Sequence, residues 1–328
     1  MTLSAERLRR ADCPWVPELF DEIDSTNAEL KRRPGVPEGT VLVTACQTAG
    51  RGRLGREFKS PPGGVYLSAV LRPDAPPERL LHLTPMVAVA MRRAFLDACG
   101  VDCGIKWIND LVFRSKKLCG ILVELYDGAM IVGIGVNCNT PPEAFPPDVR
   151  AMATTLAEAA GAPVDPNAGA AAMTRRLWLL SQELFSQKAV YLAEYTAHCV
   201  TLHKPVQLVR GEQREEAFAE GIDGNGALLV RRAGDRSPIR RVAVPGVHTT
   251  ANALMMRLFP RITERTPLLF SQIAAAVERR TEGRVRLGPG TLYTILGRFL
   301  EEELIREVSV HGRQRNYRLT EEGLRVYQ

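Results

Sequence analysis

The sequence predicts an α+β protein in three parts: a mixed β-sheet covered by helices, a small all-β module, and a tail that reads helix, helix, hairpin. Three observations predict it. Short apolar runs separated by tight turns surround one long helical stretch before residue 200; glycine-rich turns crowd the segment after Lys204; and a new helix opens at 287–293 with two strand-like runs behind it. The divisions fall at 1–199, 200–248 and 249–328.

In order, residues 18–23 read as a strand, and Asp24 or Ser25 caps a helix that runs to Lys31 and ends before Pro34-Gly35. A strand at 41–46 delivers Gln47, and another spans 64–71 after the turn Pro61-Pro62-Gly63. Residues 79–99 carry Leu83, Val87, Met91 and Leu96 on or near one helical face. Three strands follow at 105–113, 117–126 and 130–136, with turns at Arg114-Ser115 and Asp127-Gly128; turns that tight make neighbours antiparallel, so the sheet is mixed. Residues 168–195 are mostly helix, expected to pack on one sheet face. From Lys204, short strands are punctuated by Gly211, Asp223-Gly224-Asn225-Gly226 and Ala233-Gly234-Asp235. In the tail a helix runs to about residue 303, and strands at 304–308 and 316–320 are joined by His311-Gly312-Arg313-Gln314-Arg315.

The chain's 328 residues, 45% hydrophobic and 24% charged, suffice for two or three globular domains. No apolar run is long enough for a membrane span and the N-terminus has no secretory core, so a cytoplasmic protein is expected. Seven cysteines, at 13, 46, 99, 103, 119, 138 and 199, are odd in number and form no CxxC pair, which suits reduced thiols. Neither Cys99 with Cys103 nor His198, Cys199 and His203 supplies four ligands, so no protein-built metal cage is expected. Net charge is +6; from Thr249 onward 13 Arg meet 9 Glu with no Lys, which places +4 of it in the tail, as either a phosphate-contacting surface or a solvated one.

The stretch Gly50-Arg51-Gly52-Arg53-Leu54-Gly55-Arg56 sets three arginines among three glycines. Arginine forks match phosphate oxygens, and glycines let the backbone approach closely; a solvated basic turn is the other reading. Further on stand Lys106-Trp107-Ile108-Asn109-Asp110, Lys116-Lys117-Leu118-Cys119-Gly120 and Gly133-Ile134-Gly135-Val136-Asn137, with Ser25-Thr26-Asn27 and Gln47 upstream. In order and spacing this set resembles the biotin–protein ligase family over about residues 15–248. Two positions depart from its pattern: Ile108 stands where proline is usual, and Phe58 where tryptophan is usual.

The resemblance implies a biotin/lipoate ligase-like catalytic domain closed by an SH3-like β-barrel, with biotin, ATP and Mg²⁺ as its small molecules. The implied reaction activates biotin's carboxylate as biotinyl-5′-AMP and passes it to a lysine of a biotin carboxyl carrier protein, that of acetyl-CoA carboxylase or a related carboxylase. Arg51, Arg53, Lys117 and Asp110 would do the chemistry. Ser25, Thr26, Asn27, Gln47, Arg51, Gly52, Arg53, Lys117, Gly133 and Gly135 would hold biotin, and Arg53, Arg56, Phe58, Asn109, Lys117 and Asn137 the nucleotide. Mg²⁺ would come with ATP. Read from the residues alone, Ser25-Thr26-Asn27 is also an ordinary helix cap, Lys117 a surface lysine and Asp110 a turn aspartate.

The tail, over about 252–327, resembles the DNA-binding domain of the PadR transcriptional regulators through Pro289-Gly290-Thr291-Leu292-Tyr293 and its arginine-bearing wing. That implies a winged helix contacting duplex DNA through Thr291, Tyr293, Thr294 and Arg298 on the helix and Arg313 and Arg315 on the wing, with Leu292, Ile295, Leu296 and Phe299 inward. PadR proteins normally continue into a long dimerisation helix, whereas this sequence stops at Gln328; a homodimer is a further expectation. Bifunctional biotin ligases carry their winged helix before the catalytic domain, and here it follows. A lipoate-attaching enzyme, and a ligase whose tail docks proteins, are the alternative readings.

Overall fold

The computed structural model describes residues 2–75, 77–210, 213–232 and 240–242, and in the tail 268–269, 275, 296–297, 299–300, 305–311 and 314–320. The chain divides into two compact units, Met1–Val244 and Pro245–Gln328.

The first unit is built on a seven-stranded sheet of order β1-β2-β3-β7-β6-β5-β4. Its strands are β1 (Pro17–Phe20), β2 (Val41–Thr44), β3 (Val65–Leu71), β4 (Gly104–Lys106), β5 (Asp110–Phe113), β6 (Lys116–Tyr126) and β7 (Ala129–Val136). Only β1 and β2 pair in parallel; every other neighbour is antiparallel, so the sheet is mixed. Arg114-Ser115 and Asp127-Gly128 both turn through positive φ at each residue, the backbone that two-residue hairpins need to match strand twist.

Helix α1 (Thr26–Arg32) starts where Ser25 Oγ accepts the Ala28 N–H, and buries Leu30 against Leu42, Val70 and Ile131. Helix α2 (Leu83–Cys99) ends at Gly100, whose left-handed backbone lets its N–H reach Leu96 O. It packs on α5 (Pro166–Glu183) and α6 (Lys188–Ala197). Two short helices, α3 (Pro147–Met152) and α4 (Leu156–Ala160), lie between sheet and α5 in sequence. Strand β3 is buried at all seven positions, as a central strand covered on both faces must be.

Two predicted elements are each broken in two. The strand expected at 105–113 is a hairpin of β4 and β5, because Trp107–Asn109 is drawn out of line: Trp107 N donates to Thr201 Oγ1, its indole N–H to Gly226 O, and Tyr195 OH to Ile108 O. The helix expected at 168–195 is interrupted at 184–187, where the Phe185 ring meets His82 edge to face and lies beneath Arg79.

Four further strands, β8 (Pro205–Arg210), β9 (Gln213–Ile222), β10 (Leu228–Arg232) and β11 (Arg240–Val242), make an antiparallel sheet of order β11-β10-β9-β8. In the second unit, β12 (Leu268–Leu269), β13 (Ile305–His311) and β14 (Gln314–Leu319) form a sheet of order β12-β14-β13. Leu296 and Phe299 are buried, as their helical spacing predicts. The hairpin is longer than expected: Arg315 of β14 pairs with Val310 of β13, and Gln314 with His311. Thr291, Tyr293, Thr294, Arg298 and Arg313 lie outside the described residues.

All seven cysteines are free thiols, and burial pushes Cys103 and Cys138 up to about 12. Among the described residues no helix is long and apolar enough to cross a membrane, and no group of three or more His, Cys, Asp or Glu could hold a metal ion.

Candidate active site

The sheet register builds the floor of the site. Paired residues share a face, so Ser68, Gly133 and Leu122 form one row, and Tyr66, Gly135, Gly120 and Asp110 the next. Regular pairing would continue with Leu118 on this face and turn Lys117 away. A bulge between Leu111 and Val112 leaves Leu118 unpaired and brings Lys117 opposite Val112, onto the face of Asp110. Lys117 Nζ then lies 2.8 Å from Asp110 Oδ1 and 5.5 Å from the Phe58 ring centroid. The two form an ion pair, with Asp110 Oδ1 buried.

Above this floor is a cavity of about 280 Å³, near the lower end of ligand pockets at about 300 Å³. Its lining includes Ser25, Thr26, Asn27, Gln47, Arg51, Gly52, Arg53, Arg56, Phe58, Asn109, Asp110, Lys117, Gly133 and Gly135. Segments scattered over more than a hundred residues thus converge on one hollow. Glycine is required on the floor: a Cβ on Gly133 would overlap the Asn27 amide, and one on Gly135 the Phe58 ring. In this structure the two glycines therefore admit the protein's own side chains.

The arginine loop folds back on itself. Gly52 N donates to Arg56 O at 2.7 Å, Phe58 N to Gly50 O at 2.9 Å, and Arg53–Gly55 forms a single 3₁₀ turn. Arg53 is turned inward, where Nη1 donates to Asn109 Oδ1 at 2.9 Å while Asn109 Nδ2 donates to Ile121 O at 2.8 Å. Burial lowers the Arg53 pKa against the pull of Asp110, yet a guanidinium keeps its proton at neutral pH. Arg51 and Arg56 are more exposed. With Lys117 the lining holds four cations against the two carboxylates of Asp110 and Glu57, so the hollow favours an anion.

A polar chain lines the other part. Gln47 Oε1 accepts from Thr26 N at 2.9 Å and Thr26 Oγ1 at 3.2 Å, while Gln47 Nε2 donates to Ser60 Oγ at 3.0 Å. Ser68 Oγ approaches Thr26 Oγ1 at 2.6 Å and Asn27 Oδ1 at 2.5 Å, and Asn27 Nδ2 donates to Glu124 at 2.9 Å. Sequence reasoning missed Ser68, Glu124 and the apolar wall of Ile121, Leu122 and Ile134. The first two had a signal: Ser68 is a small polar residue in the middle of the apolar strand β3, and Glu124 is the one charged residue in the apolar run 118–125 of β6.

Asn137 departs from expectation. It does not line the cavity; it is buried, and its Nδ2 donates to Lys117 O at 3.3 Å and Thr154 O at 3.0 Å. Its amide ties down the backbone that carries Lys117 and has no free donor directed at a nucleotide.

Residues 19–140 match the biotin/lipoate A/B protein ligase family, and residues 261–328 the transcriptional regulator PadR-like family. The biotin–[acetyl-CoA-carboxylase] ligase of Paracoccus denitrificans is 33% identical over 238 residues, covering 67% of this chain and 96% of that one. The chain belongs to the biotin–protein ligase family. As a biotin–protein ligase family member it is also 42% identical, over 154 residues and 45% of its length, to the bifunctional ligase/repressor BirA of Bacillus subtilis; it spans about half of that relative, 47%. The biotin protein ligase of Aquifex aeolicus, solved with biotin and ATP, superposes at a TM-score of 0.61 with 29% identity, covering 69% of this chain and 95% of that chain. The tail carries a PadR-like domain.

Proposed function

We propose that the protein is an ATP-dependent biotin–protein ligase that forms biotinyl-5′-AMP and transfers biotin to a lysine of a biotin carboxyl carrier protein. The observation that carries the proposal is the order of groups along the floor. Asn27 and its polar partners stand over Gly133, the Phe58 ring over Gly135 and Gly120, and the Lys117–Asp110 pair beside Gly120. A ligand with a polar ring, an apolar chain and a carboxylate fits that succession of polar, aromatic and cationic surroundings.

The carboxylate of biotin attacks the α-phosphate of ATP, the bond to the β-phosphate oxygen breaks, and pyrophosphate leaves. Negative charge builds on phosphate oxygens, where Lys117, Arg53, Arg51 and Arg56 stabilise it. As Lys117 turns toward phosphate it releases Asp110, which then orients the acceptor lysine and takes its proton when the amine attacks the mixed anhydride and AMP leaves. The loop shields the anhydride from water. Mg²⁺ bound with ATP would neutralise charge on the triphosphate, and Asp110, a carboxylate of the cavity lining that Lys117 would release, is suited to meet it.

The polar ring end favours biotin over lipoate, whose dithiolane offers no hydrogen-bond donor. Pyrophosphate exchange into ATP, measured with biotin and with lipoate, tests the proposal: exchange with biotin is expected, and exchange with lipoate alone would replace it by the lipoate reading. The PadR-like domain supports a second activity of what we take to be a cytoplasmic protein, the binding of duplex DNA as a transcriptional regulator. The division 1–199, 200–248 and 249–328, with the small sheet closing as an SH3-like barrel, is part of the same proposal.

A further inference from the structure

We infer that Glu124 fixes what the polar end of the cavity can recognise, making it a positioning residue that selects for a ring N–H; this rests on the biotin ligase reading. An ionised carboxylate only accepts hydrogen bonds. Glu124 Oε2 accepts from Asn27 Nδ2 at 2.9 Å, and its Oε1 is held by Lys31 Nζ at 2.7 Å from the next turn of α1. The Asn27 amide therefore has one orientation. Its nitrogen is committed to Glu124 and its oxygen lies over Gly133, where Ser68 Oγ takes one of the two lone pairs at 2.5 Å. Asn27 is 4% exposed and lines the cavity, so the remaining lone pair is available to a ligand held there.

The consequence is selection by chemistry. A cyclic urea brings an N–H to that oxygen. A dithiolane, or a urea methylated at that nitrogen, brings no donor to that second lone pair, which lowers binding by about ten-fold. Glu124 is not among the residues that line the cavity; it acts through Asn27.

Glu124→Gln tests this, because glutamine has the same size and can donate as well as accept, which lets the Asn27 amide adopt either orientation. The assay is pyrophosphate exchange with biotin, ring N-methylated biotin and lipoate as acids, alongside a melting curve. The expected result is a rise of about ten-fold in KM for biotin, with KM for ATP and kcat within about two-fold of the parent, an unchanged melting temperature, and a preference for biotin over its N-methyl analogue reduced by the same factor. An unchanged biotin KM and preference overturns the inference, as does a joint rise of both KM values with a lowered melting temperature. The parent supplies a test that needs no variant: equal use of biotin and its N-methyl analogue shows that the acceptor is not read. A parent without biotin-dependent exchange removes the ligase reading itself, whereas a normal parent with an indistinguishable Glu124→Gln removes only this inference.

Discussion

Lys117 reaches the site because Leu118 is left out of the ladder, and Asn137 holds the backbone on which that shift depends. Its Nζ is the cation beside Asp110, so Lys117→Ala is expected to lower biotin-dependent pyrophosphate exchange by about 10²–10³, the usual effect of removing one group that stabilises developing charge. Exchange within a few-fold of the parent would take Lys117 out of the chemistry. Arg53 is different, because it belongs to the loop and is held only through Asn109. Arg53→Gly should weaken retention of the adenylate more than its synthesis, so that the anhydride escapes and acylates bystander lysines. Biotin blotting of an unrelated protein incubated with the variant reads this directly; labelling no stronger than with the parent counts against it.

At the scale of elements, α1 shows how one short segment serves stability and site together. Ser25 caps it, Asn27 faces the cavity, and Leu30 fills the core between Leu42, Val70 and Ile131. Leu30→Ala should cost about 2–5 kcal/mol of folding stability, read as a lowered urea midpoint, with the biotin KM of the remaining folded enzyme unchanged. Helix α2 carries a pH dependence at its first turn, where burial and then the charge of Lys188 push His82 down to about 4 from its ordinary 6.5. A histidine held neutral in the fold contributes stability fully above 6.5, and that contribution drains away as pH falls from 6.5 toward 4. The loss is on the order of 2–3 kcal/mol. Urea midpoints should fall more over this window in the parent than in His82→Leu, which keeps only the loss from its arginine-paired carboxylates; an equal fall in both excludes His82 as the cause. These elements were largely legible, because caps, alternation and the Asp127-Gly128 turn are local signals. The β4–β5 hairpin and the α5–α6 break were not, since Trp107, Tyr195 and Phe185 impose them through distant partners. The same limit applies to the site: its arginines, lysine and glycines lie in recognisable runs, while the bulge that presents Lys117 exists only in the pairing with β5.

The whole molecule joins a family that activates biotin to a domain whose relatives regulate transcription, in one chain whose tail holds +4 of the +6 net charge. That excess is carried by arginine alone, the residue whose planar fork suits phosphate. Arg315 sits on β14 and Arg313 immediately precedes that strand in sequence, at the connection between the two long strands of the hairpin. If both contact phosphate, each releases about one counterion on binding, so the full-length double variant Arg313→Ala/Arg315→Ala should show a slope of log affinity against log salt about two units shallower than the parent. Its affinity for duplex DNA should also be weaker at low salt, uniformly across sequences, because phosphate contacts position a protein without reading bases. Biotin transfer should run at the parental rate, since among the described residues none beyond Gly135 lines the cavity. Fluorescence anisotropy on a labelled duplex from about 50 to 200 mM salt measures the slope, and transfer to carrier protein measures the rate. An unchanged slope would return the tail to a protein-docking role, while a loss of transfer along with DNA binding would mean that the two activities do not separate along the chain.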